Sequence, residues 1–125
     1  MSGDRLLLDT NAVIALLRGE PSLIAMTAAA EWIGISIISQ LEFLSFAGLS
    51  DVDRECFNAF SERVTVIGLS LAQSVIIREA VRLRVAHHLK LPDAVIAATA
   101  ISQRAAIVTQ DQHFAAVAGL TIRAF

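Results

Sequence analysis

One cysteine, two prolines, one tryptophan and no tyrosine occur in the 125 residues. A lone Cys56 excludes an internal disulfide, and no C-x-x-C or H-x3-H spacing offers a zinc site. Such cysteine usage fits a reducing compartment, so a cytoplasmic protein is expected. Basic residues are also scarce: ten Lys and Arg against twelve Asp and Glu leave a net charge of −2. This balance argues against affinity for nucleic acid through a general positive field, so a polyanionic substrate has to be met by local cations or a bound metal. No apolar run approaches the roughly 20 residues of a membrane helix. The start, MSGDRLLLD, reaches an acid too soon for a secretory signal, so no membrane association is expected.

What is abundant is aliphatic carbon. Hydrophobic residues make up 55% of the chain, a high share that either a helix-rich core absorbs or a second chain covers. Obligate interfaces of the second kind resemble a core cut in half. The composition leaves both readings open; joined with the family resemblance given below it leads to the expectation of a homodimer, with the stretches at residues 11–18 and 21–30 as candidate contact surface. Residues 1–125 are read as a single domain with one continuous core. His87 and His88 are adjacent, and helical neighbours point about 100° apart, so they do not grip one ion together.

The pattern along the chain alternates strand and helix. Arg5–Leu8 reads as a short buried strand, and residues 11–18 as a helix closed by Gly19. Pro21 suits the first turn of a helix reaching residue 30. GISII (34–38) is β-branched enough for a second strand, followed by helix from Ser39 to Ala47, which Gly48 stops. Asp51 begins another helix, residues 64–67 make a third strand, and Ser70 caps a long helix running to Leu89. Pro92 opens a fresh helix to Gln103, residues 106–109 make a fourth strand, and residues 121–124 a short fifth. The strands lack polar alternation, as expected of a parallel sheet of four to five strands sandwiched by helices.

Four acids stand out on this map. Asp9 ends the first strand, Glu42 lies one turn into the helix after the second, Asp93 follows Pro92 at a helix start, and Asp111 follows the fourth strand. Each has an ordinary structural use. Asp9 and Asp111 suit helix or turn caps, Asp93 is a favourable first-turn anion, and Ser39-Gln40-Leu41-Glu42 has the form of a capping box. Together they say more, because an open parallel sheet binds ligands at the carboxyl ends of its strands, where the strand order reverses. Carboxylates converging there repel by roughly 4 kcal/mol per pair at about 4 Å and an effective dielectric of about 20. A hard divalent cation, Mg²⁺ or Mn²⁺, removes that penalty.

The segments LLLDTNAVIALL, ISIISQLEFL, KLPDAVIAATA and AIVTQDQHF, in that order, resemble the successive signatures of the PIN domain. The likeness is greatest to the small VapC-type ribonuclease toxins of prokaryotic toxin–antitoxin pairs, and it runs from Leu6 to the end of the chain. The resemblance implies a PIN-like α/β fold, an acidic Mg²⁺ or Mn²⁺ site of Asp9, Glu42, Asp93 and Asp111, an RNA substrate and a cognate antitoxin. It also implies that Asn11 and Thr109 orient those carboxylates, and that cleavage leaves a 5′-phosphate and a 3′-hydroxyl. One departure stands at His113, where many relatives carry a further acid. A second metal is then expected to be weak or absent, with His113 facing water, serving structure, or meeting a phosphate.

The expected reaction is metal-assisted hydrolysis of an RNA phosphodiester. Arg18, Arg78 and Arg82 are candidates for guiding RNA; Arg78 and Arg82 share a helix face, although Glu79 offers Arg82 an ion-pair partner. Two other readings remain. A non-catalytic PIN-like binding module would not need all four acids. A dehalogenase-like phosphatase requires D-x-D, and here the second place is Asn11, which lacks an acid/base carboxylate.

Overall fold

The run Arg5-Leu6-Leu7-Leu8 is apolar on both of its faces because both are covered. In the computed structural model, which describes residues 3–125, it forms β1 (Arg5–Leu8), the middle strand of a five-stranded sheet. The others are β2 (Trp32–Ser36), β3 (Thr65–Ile67), β4 (Ala106–Val108) and β5 (Ile122–Arg123), in the order β3-β2-β1-β4-β5. Every pairing is parallel, with Leu7 opposite Gly34 on one side and Ile107 on the other. The helices are α1 (Thr10–Leu17), α2 (Pro21–Ala29), α3 (Ile37–Leu44), α4 (Asp51–Ser61), α5 (Ser74–His87) and α6 (Leu91–Ser102). Single 3-10 turns lie at Leu71–Gln73 and Gln112–Phe114.

Successive strand residues point to opposite faces, which divides the core in two. Leu7 and Ile107 pack with Ile76, Ala80 and Leu83 of α5 and with α6, whose residues 94–100 are all buried. Leu6, Leu8 and Val108 face the other way, onto Ala12 and Val13 of α1, Leu23 of α2, Phe43 of α3 and Phe57 of α4. Fully burying each Leu or Ile is worth about 1.5–3 kcal/mol. On β2, Gly34 is required by a close approach: a Cβ there would stand 2.2 Å from the Trp32 ring, which also carries Arg5 at 4.4 Å from its centroid.

The strand–helix alternation follows the sequence pattern, with three local corrections. β2 begins and ends two residues earlier than expected, so Ser36, not Ser39, caps α3, its Oγ accepting from the Ile38 N–H at 3.0 Å. The expected Ser39–Glu42 capping box does not form. A capping box exists one helix later, where Ser50 Oγ accepts from the Asp53 N–H and Asp53 Oδ2 from the Ser50 N–H. The long helix does not start at a Ser70 cap: a 3-10 turn intervenes, and α5 ends at His87 because His88 takes a left-handed conformation, φ 55°.

The third correction concerns apolar surface. Among the described residues, α1 exposes no large hydrophobic side chain and α2 only Ile24, because these helices spend their aliphatic residues on the core. The exposed apolar stripe lies on α5 at Ile77, Val81 and Val85, spaced four apart and thus on one helix face. No single helix among the described residues is long and apolar enough to cross a membrane.

Candidate functional site

β2 and β3 extend the sheet on one side of β1, and β4 and β5 on the other, so the strand order reverses between β1 and β4. Asp9 leaves the end of β1 there, and its backbone N–H donates to the Val108 carbonyl at 3.0 Å, beside the end of β4. Its backbone is extended, and its side chain caps α1: Oδ1 accepts from the Thr10 N–H at 2.8 Å. Oδ2 accepts from the Thr109 hydroxyl at 2.7 Å and from Asn11 Nδ2 at 3.3 Å. Asp9 is therefore both a cap and part of something larger.

Thr109 is the joint. Its one hydroxyl proton goes to Asp9, while its oxygen accepts from the Asp111 N–H at 2.9 Å and from Asn11 Nδ2 at 3.4 Å. A hydroxyl has one donor and two acceptor sites, and all three are used. Asn11 completes the tie through Oδ1, which accepts from the Gln110 N–H at 3.2 Å. The end of β4 is thus held against the start of α1 by side chains about a hundred residues apart in sequence.

Glu42 arrives from α3. Released from capping, its Oε1 accepts from the Thr10 hydroxyl at 2.6 Å, the short distance of a hydrogen bond to a charged acceptor. Asp93 stands in the first turn of α6, behind Pro92. Asp111 caps the turn after β4, Oδ1 accepting from the His113 N–H at 2.8 Å, with His113 Nδ1 2.9 Å from the same oxygen.

The electrostatics show that these acids sense one another. Burial pushes the Asp9 carboxyl above its ordinary pKa; hydrogen bonds from Thr109 and Thr10 pull it down, and the charges of Asp93 and Glu42 push it further up. Asp93 is likewise raised, first by burial and then by Asp111 and Glu42, against the pull of His113 and Lys90. Like charges held in partly desolvated surroundings favour proton or cation uptake.

A divalent ion fits this chemistry. Among the described residues, Asp93, Asp111 and His113 each offer a ligand atom, all within 4.8 Å of one another. Two ligands of one ion, each about 2.1 Å from it, lie up to about 4.2 Å apart, so little adjustment is needed. Asp9 and Glu42 stand outside that trio, coupled to it through charge and hydrogen bonds.

Two hollows bring in the cations. Arg18, with Asn11 and Gln110, lines one of about 400 Å³. His87, His88 and Lys90 line another of about 190 Å³ with Asp93 and His113. Neither Arg78 nor Arg82 lines either hollow, and Arg82 is paired with Glu79 at 2.8 Å. Sequence reasoning did not single out Thr10 and set Lys90 aside, although each lies inside a quoted motif, LDTN and KLPD; it also left His113 apart from the acids it joins.

A sequence profile of the PIN domain matches residues 6–120. The chain belongs to the PIN domain family. No curated protein matches it in sequence. Among solved structures, this PIN domain is similar to a toxin–antitoxin complex from Klebsiella pneumoniae, at 31% identity over 93% of this chain and 95% of that one, with a TM-score of 0.76. VapBC2 from Rickettsia felis, bound to a DNA fragment from its promoter, shares 20% identity over 96% and 98% of the two chains, with a TM-score of 0.79. DNA-bound VapBC from Salmonella typhimurium shares 22% over 97% and 98%, with a TM-score of 0.74. The latter two likenesses establish the fold of this PIN domain.

Proposed function

We propose that this PIN domain is a metal-dependent endoribonuclease and the toxin of a toxin–antitoxin pair. The observation that carries the reading is the gathering of Asp9, Glu42, Asp93 and Asp111, from four separate segments, at the switch point of the sheet. Asp93 and Asp111 would hold Mg²⁺ or Mn²⁺, with Asp9 and Glu42 completing its negative surroundings. When bound, such an ion supplies charge neutralisation and polarises a phosphoryl oxygen.

The chain's own residues supply position. Asp9 is held from both oxygens and Glu42 by the Thr10 hydroxyl, so the carboxylates need little reorganisation when charge develops on substrate. Asn11 and Thr109 act as positioning residues. Unneutralised, the same cluster repels a polyanion, which makes cation binding a condition for RNA approach. Arg18 and Lys90, which line the two bordering hollows, would meet the RNA backbone. Asn11 is committed to Asp9, Thr109 and Gln110, which argues against the phosphatase reading.

The antitoxin partner is supported by the Klebsiella relative, itself a toxin–antitoxin complex; binding over the acidic site or its rim is expected, and a pull-down with the neighbouring gene product tests it. The nuclease is tested by titrating Mg²⁺ and Mn²⁺ against a mixed RNA substrate. Cleavage should require metal, stop with EDTA, and be mostly lost in folded Asp9→Asn and Asp93→Asn. Full activity in either variant would remove that residue from the site.

A further inference from the structure

We infer that His113 is a nitrogen ligand of the bound ion, and that it tilts the site from Mg²⁺ toward transition metals such as Mn²⁺, Co²⁺ and Ni²⁺. The inference rests on the metal-site reading above and adds to it a donor of a different chemical kind.

The trio whose ligand atoms lie within 4.8 Å of one another comprises two carboxylates and one imidazole, Asp93, Asp111 and His113. They come from two elements, the first turn of α6 and the turn after β4. His113 is tied to Asp111 twice, by its main-chain N–H at 2.8 Å and by Nδ1 at 2.9 Å. Asp111 is itself one of the offered ligands, so this contact sets the imidazole beside the ion's own carboxylate rather than behind it. The His113 side chain is 74% exposed, so no packing opposes a small turn of the ring toward an ion.

Donor type then decides metal preference. Mg²⁺ takes oxygen ligands and keeps its waters. Imidazole favours the later first-row metals, with affinity rising from Mn²⁺ through Co²⁺ to Ni²⁺. A carboxylate at position 113 would add negative charge and hard oxygen. The imidazole gives up that charge and adds a borderline nitrogen instead.

The test compares wild type with His113→Ala and His113→Asp, both changed only at an exposed position that leaves the core intact. Calorimetric titration with Mg²⁺, Mn²⁺ and Co²⁺ gives affinities, and pulsed EPR of the Mn²⁺-loaded protein reports nitrogen coupling. Losing an outer partner of a metal ligand typically weakens binding about 10–100-fold, and loss of the ligand itself should do at least as much. His113→Ala should therefore weaken Co²⁺ by about tenfold or more, barely alter Mg²⁺, and abolish the nitrogen signal. His113→Asp should restore a preference for Mg²⁺ and remain silent for nitrogen. Equal Co²⁺ affinity in wild type and His113→Ala, without nitrogen coupling in either, would overturn the inference and leave the carboxylate metal site standing. Nitrogen coupling that survives in His113→Ala would assign the donor to His87 or His88 and also overturn it. A folded wild type that binds none of the three ions would contradict the metal-site reading itself.

Discussion

At the residue scale, the two oxygens of Asp9 divide the work, Oδ1 capping α1 and Oδ2 joining Thr109 and Asn11. Asp9→Asn keeps the cap but turns an acceptor into a donor facing the Thr109 hydroxyl, so relief of repulsion is offset by a lost hydrogen bond, typically worth about 1 kcal/mol. The dependence on pH is the cleaner reading. Asp9 and Asp93 both have raised folded-state pKa values, so over the interval between the unfolded and folded values the folded state binds more protons. Their contribution to stability is complete below the unfolded value and is lost as pH rises through the folded one. Thermal unfolding of the metal-free protein in EDTA should therefore show stability falling as pH rises from about 4 through the raised folded-state values, and Asp9→Asn should flatten that fall. Added Mg²⁺ or Mn²⁺ should stabilise wild type by about 2.7 kcal/mol at a hundredfold excess over Kd, and the variant much less. Parallel pH curves and equal metal shifts would leave Asp9 a helix cap only. The motif LDTN made Asp9 and Asn11 visible in the sequence. It did not reveal the Thr10–Glu42 hydrogen bond, because that contact depends on how α3 is laid beside α1.

At the scale of elements, the start of α3 shows where local pattern misleads. The sequence ISIISQLE offers Ser36 and Ser39 as caps, and Ser39 has the better motif because Glu42 follows three residues on. Pairing of Ser36 with Ile67 extends β2 to that residue, so the helix starts at Ile37 and Glu42 turns to Thr10. Ser39 Oγ is left buried without a hydrogen-bond partner. Ser36→Ala should consequently cost about 1 kcal/mol, the usual worth of a cap, whereas Ser39→Ala should be neutral or slightly stabilising. Chemical denaturation of the two variants checks this, and the opposite ranking would reinstate Ser39 as the cap. The end of α5 was illegible for a related reason. His88 supplies the left-handed turn without being Gly or Asn, so nothing in its side chain announces the stop.

For the whole molecule, the apolar strands and their alternation with helices were enough to read a parallel α/β sheet, since a doubly covered strand has no polar face to hide. The strand order was not readable, because register and neighbours are set by long-range packing, and with it went the proof that Asp9 and Asp111 share an edge. The hydrophobic excess also pointed to a second chain, and large exposed apolar side chains stand on α5 rather than on α1. The α5 stripe of Ile77, Val81 and Val85 now carries the dimer expectation: light scattering should show a dimer at micromolar concentration, and Val81→Asp should yield a folded monomer. A monomeric wild type would end that claim. The central claim is that the gathered carboxylates cut RNA, and mapping the ends of cellular RNA after brief expression of wild type and Asp93→Asn tests it most directly. New 5′-phosphate ends at discrete internal positions with wild type, absent with the variant at equal protein level, are predicted. Identical end profiles for the two proteins would contradict it.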